Sequence, residues 1–456
     1  MLDVIAANVI GLILEVFGRV PPQLEPLQLV SWQNAAIFTE CKQTPSSYGG
    51  VPCALPPTEP DPAVEVIVKD YLQLLTNKGI APQQQGIWIQ SDWTELADSE
   101  GTVPISAASL TKIATTLAAL AKWGTQYQFE TKIYSTGEIR DGILQGDLFV
   151  KGSGDPFFVW EEAIALGNAL EELGIRRITG DLVVTDKFYM NYQSEAQAGA
   201  ELLKQALDVK LWTSQVEQQY LTLPSGTPRP QLAIAGKVRV KNSIPDSSRL
   251  LIRHQSLPLV EILKQMNIYS NNEMAQMLAD AVGGAQYVAQ YAAKAAKVPA
   301  AEIQLINGSG LGVDNRISPR AVCRMLMAIE KSLQSHSLSV GDLFPVAGRD
   351  TVGTLQNRQI PLGAAIKTGT LAQVSALAGV MESGDPAWRV LPHRDRIWFA
   401  IINSGSQIEY FRQQQDLLLH RLALHWQLTP TTKTKVGLTD SRLGDPRRNF
   451  PVSTES

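Results

Sequence analysis

The chain has 456 residues, of which 44% are hydrophobic and 18% charged, the composition of an ordinary globular protein too long for one small core. A formal net charge of −4 with no basic stripe argues against nucleic acid as a partner. The three cysteines and five scattered histidines have no metal-ligand spacing, so the pattern calls for no metal and no other cofactor.

In chain order, Val4 to Leu14 is mostly apolar but is preceded by Asp3 and lacks a basic flank. It reads either as a weak export signal or anchor, or as an amphipathic segment that associates with a surface or with the protein body. No later run is apolar and long enough to span a bilayer. Residues 1–63 form an N-terminal segment ending in a Pro-rich linker, in which Cys41 and Cys53 either close a small disulfide loop or stay as separate thiols. Val64, Ile67, Val68, Tyr71 and Leu74 or Leu75 recur at helical spacing, Gly86 to Gln90 alternates as a strand, and Leu110 to Leu120 predicts a second helix that Gly124 can end. Residues 64–124 therefore read as the first part of one domain.

From 125 to 253 short strand-like runs (Tyr127–Tyr134, Ile143–Val150, Gly180–Thr185, Leu232–Val240) are separated by Gly and Asp turns, with one helix over about Glu161–Leu173. This is an inserted, β-rich α+β domain. Residues 254–428 return to the first domain, with helices predicted at Leu257–Met266, Glu273–Val282, Pro319–Ser332 and Ile408–Trp426, and strands at Val374–Met381 and Ile397–Ile402. Cys323 lies on an apolar helical pattern and reads as core. The polar, turn-rich stretch 429–456 reads as a disordered tail.

Three short motifs follow one another. Ser109-Leu-Thr-Lys112 opens the second helix, and on a helix positions i and i+3 share a face, so the amine can sit beside the hydroxyl. A serine needs a base to become a nucleophile, and a lysine serves when burial or a second cation depresses its pKa. Ser270-Asn271-Asn272, between two helical segments, offers a hydroxyl to relay a proton and an amide to hold a carbonyl. Lys367-Thr368-Gly369-Thr370 opens a predicted strand, where it supplies a second cation that can perturb Lys112 and attract a substrate carboxylate, and a strand edge on which a substrate backbone can pair. Each motif alone is weak, and its bland reading is a helix cap, a turn or a solvated strand end. The ordered set is the signature of serine β-lactamases and penicillin-binding proteins.

On these motifs, and on ISAASLTKIATTLAAL, KGSGDP, GDLVVTD, NGSGLGVDNRISP and KTGTL, the chain resembles the class C low-molecular-mass penicillin-binding proteins, the D-alanyl-D-alanine carboxypeptidase/endopeptidase family, from about residue 64 to 427. The resemblance implies an α+β fold: a transpeptidase-like domain, with a five-stranded antiparallel sheet packed by helices, interrupted by an inserted domain. It implies Ser109 as acyl-ester nucleophile, Lys112 as its base, and Ser270 as proton donor to the leaving nitrogen with help from Lys367. Asn272 would hold the substrate amide, Thr368 and Thr370 its terminal carboxylate, and the N–H groups of Ser109 and Thr370 the oxyanion, with Gly369 keeping the strand edge clear. The implied partners are peptidoglycan peptides as substrate and β-lactams as covalent inhibitors, and the implied location is extracytoplasmic, in the periplasm or cell envelope.

Two departures stand out. The stretch between Lys112 and Ser270 is shorter than the two-domain insert typical of these enzymes, and Asn307 and Val313 replace the Asp and Arg usual around GSGL. Loss of that Arg puts a diamino-acid stem preference in question, while Leu311 still fits as a lining residue and Asp186 is a candidate acidic partner. A β-lactamase or esterase on the same fold, and a penicillin-binding sensor that acylates without turnover, are the competing readings.

Overall fold

Alternation of side chains across one sheet organises the part of the protein that carries the motifs. In the computed structural model, which describes residues 61–185, 187–382, 396–428 and 442–452, five strands pair antiparallel in the order Ala365–Leu371, Val374–Glu382, Arg396–Ser404, Gln85–Gln90 and Glu95–Ser99. Along Arg396–Ser404, Trp398, Ala400 and Ile402 enter one core while Ile397, Phe399 and Ile401 enter another. Ala376, Ala378 and Val380 likewise oppose Leu377 and Met381. Helices cover both faces, which is why these strands read as nearly unbroken apolar runs. The helices Pro62–Thr76 and Ile408–His425 lie on one side, and Thr111–Trp123 and Pro319–Leu333 on the other. Cys323 is buried on the second side.

A polar network fixes the last helix to the sheet. The buried Asn403 carboxamide donates to Gln85 Oε1 (2.8 Å), and its Oδ1 accepts from Tyr71 Oη (2.8 Å) and from Gln415 Nε2 (2.8 Å). Gln415 Nε2 also donates to the Ser375 carbonyl at 3.0 Å.

Between Glu130 and Gln255 the chain builds a second core from the helices Trp160–Glu172 and Ala196–Leu207 and two further sheets. Its six-stranded sheet is mixed: Leu182–Val184 pairs parallel with both Leu148–Lys151 and Val238–Val240, whereas Glu130–Ser135 pairs antiparallel. Besides the short Ser214–Tyr220, two longer helices were not anticipated from the pattern, Ala196–Leu207 and Ala285–Ala296. Both are rich in alanine, so burial of small side chains replaces the stripe of large ones that periodicity detects.

The end of the chain departs from the expected disordered tail. Residues 442–452 are ordered, and Asn449–Pro451 adds a strand to the six-stranded sheet by pairing with Arg249–Gln255. Arg448 is buried there against the Glu162 carboxylate and the Gln255 carbonyl (2.8 Å), and Asn449 Oδ1 meets His254 Nδ1 at 2.9 Å. A charged group buried against a distant carboxylate gives no local apolar signal, which is why the tail reads as polar and unstructured. Val4–Leu14, Cys41, Cys53 and Asp186 lie outside the described residues.

Replacing Asn403 by Ala leaves Tyr71 Oη and Gln85 Oε1 without the partner they have here, each at a cost of about 1–3 kcal/mol, and takes one of the two acceptors from Gln415 Nε2. A lowered thermal unfolding midpoint is expected, and an unchanged midpoint contradicts the role given to the network.

Candidate active site

Ser109 sits on a single helical turn, Ala108–Leu110, that leads directly into the Thr111–Trp123 helix. Ala108 has φ +46°, the left-handed region that an alanine enters at a cost, so the surrounding structure must hold the turn in place. Three groups do so. The Ala107 N–H donates to the Asn315 carbonyl at 2.9 Å. Gly310 (φ +83°) lies so close over the Ala108 carbonyl that any Cβ would collide with it. Gly369 brings its strand against the turn from the other side, where an added Cβ would stand 3.0 Å from both the Ser109 nitrogen and the Ala107 oxygen.

Lys112 is fully buried one turn along, with Nζ 3.1 Å from Ser109 Oγ, 2.7 Å from Asn272 Oδ1 and 2.7 Å from the Ser309 carbonyl. Burial lowers its pKa to about 7, against the opposing pull of the Glu273 carboxylate. A neutral amine has two hydrogens and one lone pair. With Asn272 Oδ1 and the Ser309 carbonyl taking the hydrogens, the lone pair is left for the Ser109 hydroxyl, the arrangement a general base requires.

Ser270 is the left-handed cap (φ 53°) that closes the Leu259–Tyr269 helix, and Asn271 then caps the Asn272–Val282 helix by accepting from Met274 N at 2.9 Å. This back-to-back capping turns Ser270 and Asn272 towards the same cleft. Ser270 Oγ lies 3.0 Å from Lys367 Nζ, which also donates to the Thr368 carbonyl at 2.8 Å. Burial, and secondarily the charge of Lys112, hold the Lys367 ammonium well below its usual pKa. Lys367, Thr368, Gly369 and Thr370 all lie on Ala365–Leu371, the outer strand of the five-stranded sheet. Thr368 is buried and Thr370 exposed. The three motifs thus form one hydrogen-bonded cluster.

The NGSGLG motif read from the sequence completes the cluster, and what its residues do there was not read from the pattern: the Ser309 carbonyl binds Lys112, and Asn307 holds the loop. Asn307 Oδ1 accepts from Ser309 N (3.1 Å), Ser309 Oγ (3.1 Å) and Gly310 N (2.8 Å), while its Nδ2 donates to the Leu311 carbonyl at 2.7 Å. The Gly308 carbonyl accepts from Thr115 Oγ1 at 2.7 Å, tying the loop to the helix that carries Lys112. An aspartate at 307 would accept the same bonds but not donate the last one, so Asn307 can hold the loop as an aspartate would, with one extra contact. The departure of this motif from its usual form was the available signal. Beside Asn272 a cavity of about 320 Å³ opens, lined by Tyr189, Glu273, Asp280, Asn307 and Leu311. Val313 is exposed.

With this geometry in hand, the comparisons are direct. A family model described as D-Ala-D-Ala carboxypeptidase 3 (S13) matches residues 71–200 and 230–420. The chain belongs to this family. The D-alanyl-D-alanine carboxypeptidase DacB of Haemophilus influenzae is 24% identical over 384 residues, covering 63% of this chain and 79% of the relative. A predatory peptidoglycan endopeptidase from Bdellovibrio bacteriovorus, Bd3459, superposes with a TM-score of 0.66 at 20% identity, over 80% of this chain and 98% of that one. Its penicillin G-acylated form, in complex with the immunity protein Bd3460, gives a TM-score of 0.66 at 21% identity, over 80% and 99% of the two chains. At these identities the structures establish the shared penicillin-binding, transpeptidase-like α+β fold. Family membership supports assignment as a low-molecular-mass penicillin-binding serine carboxypeptidase.

Because Lys112 must be neutral to accept a proton, acylation by a fluorescent penicillin is expected to fall about tenfold per pH unit below pH 7. Removing the Glu273 charge (Glu273→Gln) takes away the influence that raises the Lys112 pKa, so the falling limb moves to lower pH. A profile flat from pH 5 to 8 contradicts the assignment.

Proposed function

We propose that this protein hydrolyses D-alanyl-D-alanine peptides of peptidoglycan stems as a carboxypeptidase/endopeptidase, through an acyl-enzyme on Ser109. The observation that carries the reading is the Lys112 amine, desolvated and held 3.1 Å from Ser109 Oγ by two acceptors. Ser109 Oγ attacks the carbonyl of the penultimate D-alanine and its proton passes to Lys112. The N–H groups of Ser109 and Thr370 receive the oxyanion, an interaction worth about 10²–10³ in rate per donor. Ser270, backed by Lys367, protonates the leaving nitrogen as the C–N bond breaks. The proton taken by Lys112 restores the Ser270 hydroxyl as D-alanine, or the amine of a cross-linked stem, departs; water then cleaves the ester with the neutral Lys112 again as base, and that proton returns to Ser109 Oγ. Asn272 Nδ2, whose partner oxygen is already occupied by Lys112, holds the substrate amide. A β-lactam follows the same first step, but its leaving nitrogen stays tethered. A peptidoglycan substrate implies a site of action outside the cytoplasm.

The cavity beside Asn272 is the natural receptacle for the side chain of the third stem residue. Its carboxylates, Glu273 and Asp280, favour an ammonium end, and Val313 stands in place of the arginine that would favour a carboxylate.

D-alanine release from a synthetic stem pentapeptide, run beside fluorescent-penicillin labelling, tests the reaction. Wild type should do both, and Ser109→Ala should lose both by a factor of at least about 10³. Labelling without release would instead mark a penicillin-binding sensor. Stems with lysine at the third position should be cleaved several-fold better than stems with a neutral side chain, and Asp280→Asn should narrow the gap. An equal rate on both stems in the wild type refutes the pocket assignment.

A further inference from the structure

The peptide that this reading assigns to the site ends in a carboxylate, as do penicillins, and that charge needs a receiver along the Ala365–Leu371 strand. Lys367 is poorly suited. Its amine is buried, is committed to Ser270 Oγ at 3.0 Å and the Thr368 carbonyl at 2.8 Å, and is held well below its usual pKa by burial. Lys112 is committed to the nucleophile in the same way. Thr368 and Thr370 offer hydroxyls but no charge.

A permanent charge arrives from a different part of the chain. Arg412, near the start of the Ile408–His425 helix, donates from Nη2 to Thr370 Oγ1 at 3.1 Å. Its position is set by the network behind it. Gln415, three residues further along and so on the same helix face, is pinned to the carbonyl of Ser375, and Ser375 is the residue paired with Thr370 across the sheet. Arg412 therefore stands over the exposed end of the strand because the helix is locked to the neighbouring strand. Its other terminal nitrogen, Nη1, meets Glu409 at 2.6 Å, but the Glu409 side chain is 77% exposed. A pair of this kind is worth little in water and is readily exchanged. A guanidinium one-third exposed, flanking a threonine hydroxyl and already holding a carboxylate, is a preformed carboxylate receiver.

We propose that Arg412 is a specificity-determining residue that receives the C-terminal carboxylate of the substrate together with Thr370, the substrate displacing Glu409. The assignment rests on the peptidase reading above and adds the group that makes a free C-terminus preferable to a blocked one.

The test compares the full chain with Arg412→Gln and Arg412→Lys on an acyl-D-alanyl-D-alanine peptide and on its C-terminal amide, following release of D-alanine and of D-alaninamide. Wild type should prefer the free acid. Arg412→Gln should lower kcat/KM for the acid about ten- to a hundredfold, mainly through KM, and leave the amide unchanged. Arg412→Lys should recover part of the loss. Glu409→Gln, which removes the competing carboxylate, should lower KM for the acid, and a higher KM would overturn the exchange. An acid preference undiminished in Arg412→Gln, or an equal loss on acid and amide, overturns the assignment while leaving the peptidase reading intact. Absence of any release by the wild type overturns the peptidase reading itself, and this assignment with it.

Discussion

Desolvation of one amine governs the rest of the site. Lys112 could serve as a base only while its charged form is disfavoured, and its burial against the Asn272 side chain and the Ser309 carbonyl does this without leaving its hydrogens unpaired. An unpaired buried amine would be costly, and a solvated one would stay protonated at neutral pH. The site satisfies both conditions by spending two neutral acceptors on the amine in place of a carboxylate. A carboxylate in contact would hold the proton and abolish the base, and Glu273, the carboxylate whose charge acts on it, is exposed.

That constraint explains why the supporting contacts are so close. The Ser309 carbonyl reaches the amine only if the loop from Asn307 to Asn315 is pressed onto the turn that carries Ser109, and Gly310 permits this approach. Asn307 holds the loop in shape from within, and Thr115 holds it from the helix below. On the opposite side Gly369 lets the outer strand approach the Ser109 nitrogen, so the nucleophile is gripped between a loop and a strand edge. The strained φ of Ala108 is the consequence of this grip.

The same sheet links chemistry to recognition. Its outer strand carries Lys367 to the Ser270 hydroxyl and leaves Thr370 at the surface, and the Asn403 and Gln415 network fixes the final helix behind it. Arg412 is therefore held by the interactions that stabilise the sheet. The inserted region keeps a core of its own and contributes Tyr189 to the cavity beside Asn272.

Much of this was legible in the residues themselves. The helical spacing of Ser109 and Lys112 and the continuous apolar strands at Val374–Met381 and Ile397–Ile402 follow from local rules of periodicity and chemistry, and the order of the three motifs was read by resemblance to a family signature. Such rules state which face of an element is buried and which residue types stand next to one another. They do not state which distant groups share a cleft. The Ser309 carbonyl is 197 positions from Lys112, Arg412 is 42 from Thr370, and Arg448 is 286 from Glu162. None of these partners carries a local signature, because a backbone carbonyl or a surface arginine reads alike wherever it occurs. The sequence alone therefore determined the candidate nucleophile, base and relay. Only the tertiary structure decided what desolvates the base, what stands over the strand end and where the tail docks, since burial and electrostatic contact depend on distance in space.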